Sequence, residues 1–414
     1  MDTKFQKNSI SLFVLLLVGS FCNFLFQVIM GKIMPVNDYG VVNSLLSWAI
    51  LLALPTSVIA TITVKYIAIS MAQNDKSKTQ TIMALMIELS LLIAFIVLLL
   101  GCIFSPFMRR ITGIENVQYM FIAVIVAVAS LLVTPLMAAL QGLHRFVAYG
   151  INNIVLSGAK LVFSIIAVYL GTGVSGVIFA CVLSTCCGIL WCASQLKKEL
   201  SHLKKVPLSE LSKLDNWSGY LIGTIVAQLC ISAMTNYDTI LVKLFFSANF
   251  TGLYAAASSI GKIVSYLTSA LVAVLLPMVA KKAESGESTK PMLSQSLLYG
   301  GIASIFCIVG FWIFGKWAIM FLFGTRYLGA EKLLPIIGIY FIPITMLTII
   351  MNYLLACGKI QHFAISMMLA LLFSGIGAYL FHNTIPQMIF AMTISVCVAV
   401  AYNLIVIYRA KQSE

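Results

Sequence analysis

Charge is what this sequence has least of. Only 9% of its 414 residues are charged, with 13 acids and four histidines in the whole chain. A soluble domain has about 25% charged residues, so too few are present to cover a water-facing surface. Long polar connections are missing as well. No stretch between apolar runs exceeds about 20 residues, which excludes a soluble catalytic domain inserted among them. The histidines, at 144, 202, 362 and 382, share no metal-ligand spacing with the cysteines. Most of the ten cysteines lie inside apolar runs, as in CVLSTCCGILWC at 181–192, where cysteine acts as a small packing residue. No catalytic residue, metal site or cofactor is expected.

Hydrocarbon is what the chain has in excess: 61% hydrophobic residues and a mean hydropathy of +1.03. Apolar runs of roughly 20 residues recur from end to end, the length that spans a hydrocarbon core of about 30 Å. A β-barrel would instead show alternating segments of about ten residues. The fold class expected is therefore an all-α polytopic membrane protein. The first run, ISLFVLLLVGSFCNFLFQVIM, continues through Asn23 and Gln27 without a small-residue cleavage site and reads as a retained span.

Twelve spans are expected, near 9–31, 41–64, 81–104, 117–140, 148–170, 174–196, 217–242, 251–280, 293–314, 332–355, 362–381 and 386–408. Domains follow as an N-terminal six-helix bundle (1–196), a cytoplasmic linker (197–216, KKELSHLKKVPLSELSKLDN) and a C-terminal six-helix bundle (217–414). With the N-terminus inside, cytoplasmic segments collect 17 of the 26 Lys and Arg residues and outer segments seven. The positive-inside rule thus places both termini in the cytoplasm. Much of the net charge of +13 is this bias, so it gives no support to nucleic-acid binding.

The halves repeat one another at an offset of about 212 residues. GKIMPVNDYGVVNSL opens span 2 and VKLFFSANFTGLYAAAS opens span 8; LQGLHRFVA precedes span 5 and LACGKIQHFA precedes span 11. Six spans per copy is an even number, so the copies run parallel, related by an axis along the membrane normal. Two pseudo-symmetric bundles around a central cavity are the expected architecture.

Polar residues fall on stripes at helical spacing. Ser258, Lys262, Ser265 and Ser269 share one face of span 8, and Asn153, Ser157, Lys160 and Ser164 repeat that pattern on span 5. Asn23 and Gln27 line span 1 with Ser20, while Thr224, Gln228, Ser232, Thr235 and Thr239 run down span 7. Such stripes also suit interhelical packing. A lysine near the bilayer centre, however, costs roughly 2.5–3.5 kcal/mol even on an insertion scale. Lys160 and Lys262 are therefore candidate substrate contacts in a wet, anion-attracting cavity, or else internal partners of Glu88 and Asp238. Asp238, Glu88 and Lys32 are candidates for gating or ion coupling.

Tyr39-Gly40 after span 1, Asp238 near the end of span 7, and Gly252-Leu253-Tyr254-Ala255-Ala256-Ala257 in span 8 resemble the Wzx-type oligosaccharide flippases. These are the polysaccharide transporters of the multidrug/oligosaccharidyl-lipid/polysaccharide exporter superfamily, and the resemblance covers essentially the whole chain. It implies alternating-access export of an undecaprenyl-pyrophosphate-linked O-antigen or capsule repeat unit across the inner membrane. Membrane lipids, a polysaccharide polymerase and a chain-length regulator are the partners it implies. Several relatives place arginine where Lys32 stands, and lysine cannot grip a phosphate bidentately. Two other readings stay open: a cation-coupled multidrug antiporter of the same superfamily, and a membrane-embedded enzyme acting on polyprenyl-linked glycans.

Overall fold

The computed structural model describes residues 3–112, 114, 116–201, 219–265, 279, 289–357 and 360–409. Every regular element among them is helical. The chain divides into two compact units, Met1–Asn216 and Trp217–Glu414. Ten helices among the described residues are long and apolar enough to cross a membrane, and a bent pair can supply an eleventh crossing. Most of the expected linker, and span 8 beyond residue 265 with its Ser269, lie outside the described residues.

Unit 1 comprises α1 (Thr3–Ile33), α2 (Val36–Leu52), α3 (Pro55–Ala72), α4 (Lys76–Thr112), α5 (Val117–Gly142), α6 (Phe146–Tyr169), α7 (Gly173–Gln195) and the short α8 (Lys197–Leu200). Span 2, expected as one helix, is broken into α2 and α3 with a bend of 48°. Pro55 sits at the first position of α3, where its missing N–H ends the preceding ladder and its fixed φ suits a helix start. The turns after α3 and α5 close on Asn74 (φ 54°) and His144 (φ 56°). In each, the next residue's N–H reaches back to a carbonyl five residues earlier: Asp75 to Ser70 at 3.0 Å and Arg145 to Leu140 at 2.8 Å. That pairing satisfies carbonyls a helix end would leave bare.

Contacts between α1 and α6 climb together along both helices. A Cβ placed on Gly150 would lie 2.7 Å from Leu15 Cβ, Gly19 abuts the Asn153 side chain, and Lys160 reaches Asn23. The two helices are therefore parallel. That direction requires α2 and α3 together to cross the membrane once, because a hairpin returning to its starting side would leave α6 antiparallel to α1.

A second internal device joins α4 to α5. Pro135 has no N–H to give to the Leu131 carbonyl one turn earlier. Ser90 Oγ on α4 donates to that carbonyl at 2.5 Å instead, as a bilayer interior requires of freed backbone groups.

Unit 2 comprises α9 (Gly219–Phe245), α10 (Ala248–Gly261), α11 (Lys290–Leu322), two short 3-10 turns, α12 (Leu334–Ala356), α13 (Gln361–Leu380) and α14 (Ile385–Arg409). Here α9 and α13 run parallel: Gly223 approaches Ile360 and Gln361, Tyr237 bonds Ser374, and Phe245 stacks on His382 at 4.3 Å. Neighbour relations match those of unit 1. There α1 packs on α6, α6 on α7, α4 on α5, and α5 on α7 and α3; here α9 packs on α13, α13 on α14, α11 on α12, and α12 on α14 and α10. The outward faces of α4, α11 and α13 are strongly apolar, with Ile103, Phe306, Trp312 and Leu380 among their exposed residues.

Candidate functional site

In unit 1 the polar residues meet where α1 lies against α6. Lys160 Nζ donates to Asn23 Oδ1 and stands 4.3 Å from the centre of the Phe26 ring. An ammonium over an aromatic face gains from the ring quadrupole. One turn along α1, Gln27 Oε1 accepts from the buried Tyr39 hydroxyl at 2.9 Å. Asn153 packs beside Gly19, and Ser157 is half-buried on α6 between Asn153 and Lys160. The sequence stripes of spans 1 and 5 thus converge on one seam.

Neither remaining candidate of this unit joins that seam. Lys32 is exposed at the end of α1. Glu88 is half-buried on α4, and no ion pair links it to Lys65 or to Lys160.

In unit 2 the centre is Asp238 on α9, which is fully buried. Its Oδ2 accepts from Tyr254 at 2.8 Å and from Ser258 at 3.4 Å, both on α10. Its Oδ1 has no hydrogen-bond partner among the described residues. Tyrosines crowd this region. Tyr237 pairs with Ser374, and Tyr340 donates to the Met234 carbonyl at 2.7 Å. Lys262 follows the last residue of α10, and its Nζ donates to Asn236 Oδ1 at 3.4 Å. Asn236 is oriented for this, because its amide nitrogen is tied to the Ser232 carbonyl at 2.9 Å. Lys262 lies close enough to act on Asp238 through its charge, yet the two form no ion pair. Gln228 and Ser265 are half-buried, on α9 and just past α10.

Each unit therefore holds a lysine ammonium whose described acceptor is an asparagine oxygen rather than a carboxylate. An ammonium has three donors and retains its full charge beside a neutral acceptor. Such a group suits an anionic guest. Sequence reasoning assigned no role to Asn236 or Phe26 and no bond to Tyr254. Asn236 stands four residues after Ser232, the one spacing signal that marks it as a continuation of that stripe.

The comparisons with known proteins agree with this architecture. A model of the family described as polysaccharide biosynthesis protein matches residues 5–282. No curated protein matches the sequence. Among solved structures, the chain resembles an inward-facing multidrug resistance MATE family transporter of the MOP superfamily. The TM-score is 0.74 at 14% identity, covering 98% of this chain and 99% of that one. An outward-facing MATE family transporter matches with a TM-score of 0.68 at 14% identity, over 96% and 94%. A MATE structure in a bent conformation matches at 0.62 and 14%, over 99% and 96%.

Proposed function

Because the chain belongs to the polysaccharide biosynthesis protein family, we propose that it flips a lipid-linked oligosaccharide across the cytoplasmic membrane. The cargo in this reading is an undecaprenyl-pyrophosphate-linked repeat unit of O antigen or capsule, moved outward by alternating access, with both termini in the cytoplasm. One observation supports the reading: Lys160 and Lys262 each donate to an asparagine oxygen and form no ion pair among the described residues. Lysine is a good point-charge partner for phosphate, and the two ammonium groups are the proposed contacts for the pyrophosphate.

Physical chemistry explains why such a cargo needs a protein. Stripping each sugar hydroxyl of water without replacement costs on the order of 1–3 kcal/mol, so unassisted crossing is negligible. Asn23, Gln27, Asn153, Ser157, Gln228, Ser258 and Ser265 offer replacement hydrogen bonds along the proposed path. An inside-negative potential favours outward movement of an anion by about 2.3 kcal/mol per charge per 100 mV. Downstream, the delivered unit passes to a polymerase and a chain-length regulator in this reading.

A second reading is cation-coupled drug efflux, favoured by the buried Asp238 and by the multidrug resistance relatives of the same fold. Deleting the gene separates the two. Loss of surface glycan with unchanged drug tolerance supports flipping; normal glycan with altered drug tolerance overturns it.

A further inference from the structure

Two residues of one helix hold the Lys160 ammonium. Asn23 and Phe26 stand three positions apart on α1, so their side chains share a face. Lys160 reaches across from α6, donates to Asn23 and lies 4.3 Å from the centre of the Phe26 ring. Phe26 is fully buried, so the ring has a fixed seat. The next residue, Gln27, accepts from Tyr39 at 2.9 Å, which anchors this turn of α1 against α2. Lys160 itself is half-buried, and its bond to Asn23 lies in the open. A guest can therefore meet the ammonium on the side away from the ring.

The choice of an aromatic neighbour has a chemical consequence. A carboxylate in its place would draw the ammonium more strongly but cancel its charge, and an anion would have to displace it. Leucine would fill the space and offer the ammonium nothing. A ring face attracts the cation through its quadrupole and leaves the charge intact. It also takes up no conventional acceptor bond. An ammonium has three N–H donors; Asn23 accepts one among the described residues, and the others remain for a guest.

We infer that Phe26 is a positioning residue for the anion contact: its ring face holds the Lys160 ammonium charged and presented to the diphosphate. This role rests on the flippase reading above. Phe26 touches no cargo and acts through Lys160 alone.

Graded fluorination of this one ring tests it. Mono-, di- and trifluorinated phenylalanine at position 26 withdraw electrons from the ring face by steps and barely change its shape. Binding of a citronellyl-diphosphate-linked monosaccharide to the purified full-length protein is measured by calorimetry. Affinity should fall stepwise along the series, by about three- to tenfold in all, with the thermal unfolding midpoint nearly constant. In a Lys160→Met background the series should be flat. Equal affinity along the series overturns the role, and so does an equal decline in the Lys160→Met background. A protein that fails to bind the probe, or a Lys160→Met variant that binds it as tightly as the unmodified chain, sinks the flippase reading at this lysine and the role of Phe26 with it. Binding that requires Lys160 yet ignores fluorination sinks the role of Phe26 alone.

Discussion

In unit 1 a tyrosine early in α2, Tyr39, donates to Gln27 on α1; in unit 2 a tyrosine in the first half of α10, Tyr254, donates to Asp238 on α9. Both bonds tie the first long helix of a unit to the helix that follows it, so each answers the same need for a polar tie between those two helices. Unit 1 solves it with a neutral amide. The tie between the helices therefore needs no charge, and the carboxylate in unit 2 exceeds what the fold requires. An ion taken out of water costs several kcal/mol unless its partners are complete, and Asp238 Oδ1 lacks one among the described residues. The lysines show less asymmetry, since each unit has one and each is held by an asparagine. On this comparison, the proposed anion contact is shared between the units and the proposed ion coupling belongs to unit 2.

Removing the lysines should have the largest effect. Lys160→Ala and Lys262→Ala are each expected to lower glycan export by about tenfold or more, the scale of losing a buried charge contact of 2 kcal/mol or above. Protein level should stay unchanged, and arginine should partly rescue. Surface glycan and membrane abundance are the measurements. Normal export by both alanine variants would remove the phosphate role, and a defect in only one would confine anion contact to that unit.

Next comes Asp238→Asn, which gives unit 2 the neutral pattern of unit 1. Export should fall, while the thermal unfolding midpoint in detergent should hold or rise. An amide relieves a buried carboxylate that is short of partners, an effect of about 1–3 kcal/mol. Full export by this variant would exclude Asp238 from ion coupling. Stability lost together with export would instead make the carboxylate a structural group.

Smaller and more diagnostic is the tyrosine pair. Tyr254→Phe withdraws a hydrogen bond from a buried carboxylate and should cost about 1.5–3 kcal/mol. Tyr39→Phe withdraws one from the half-buried amide of Gln27 and should cost about 0.5–1.5 kcal/mol. Equal losses in thermal unfolding would show that the two bonds serve equivalent groups, contrary to the asymmetry drawn here.

These pairings also show how far the sequence could be read. The spans were legible because a bilayer demands about 20 apolar residues of each, and observed helix ends mostly fall within a few residues of the expected ones. The lysine faces were legible too, since spacings of four and three residues mark one side of a helix. The break between α2 and α3 was not, because Pro55 fits a kinked continuous helix as well as a fresh helix start. Nor was the Tyr254–Asp238 bond. Its 16-residue separation passes through the turn between α9 and α10, and only the closing of that turn brings the side chains together. Asn153, by contrast, was legible as polar but not as the residue packed against Gly19, which depends on how closely α1 approaches α6.

The smallest expected effect separates the units at a proline. Pro135 in α5 frees the Leu131 carbonyl, and Ser90 on the neighbouring α4 supplies the missing donor. Pro343 lies inside α12 in unit 2, but Ser304 on its neighbour α11 donates within its own helix to the Gly300 carbonyl at 2.7 Å. Ser90→Ala strips an interhelical bond and leaves a backbone carbonyl bare in hydrocarbon. The cost should be about 0.6–1.7 kcal/mol, the measured range for such bonds in membranes. Ser304→Ala removes a hydroxyl whose acceptor keeps its ordinary helical N–H partner and should cost less than about 0.5 kcal/mol. Thermal unfolding of the two variants in one detergent makes the comparison. If Ser304→Ala proves as costly as Ser90→Ala, the proline in α5 has no special need of Ser90, and the link between α4 and α5 is apolar packing alone.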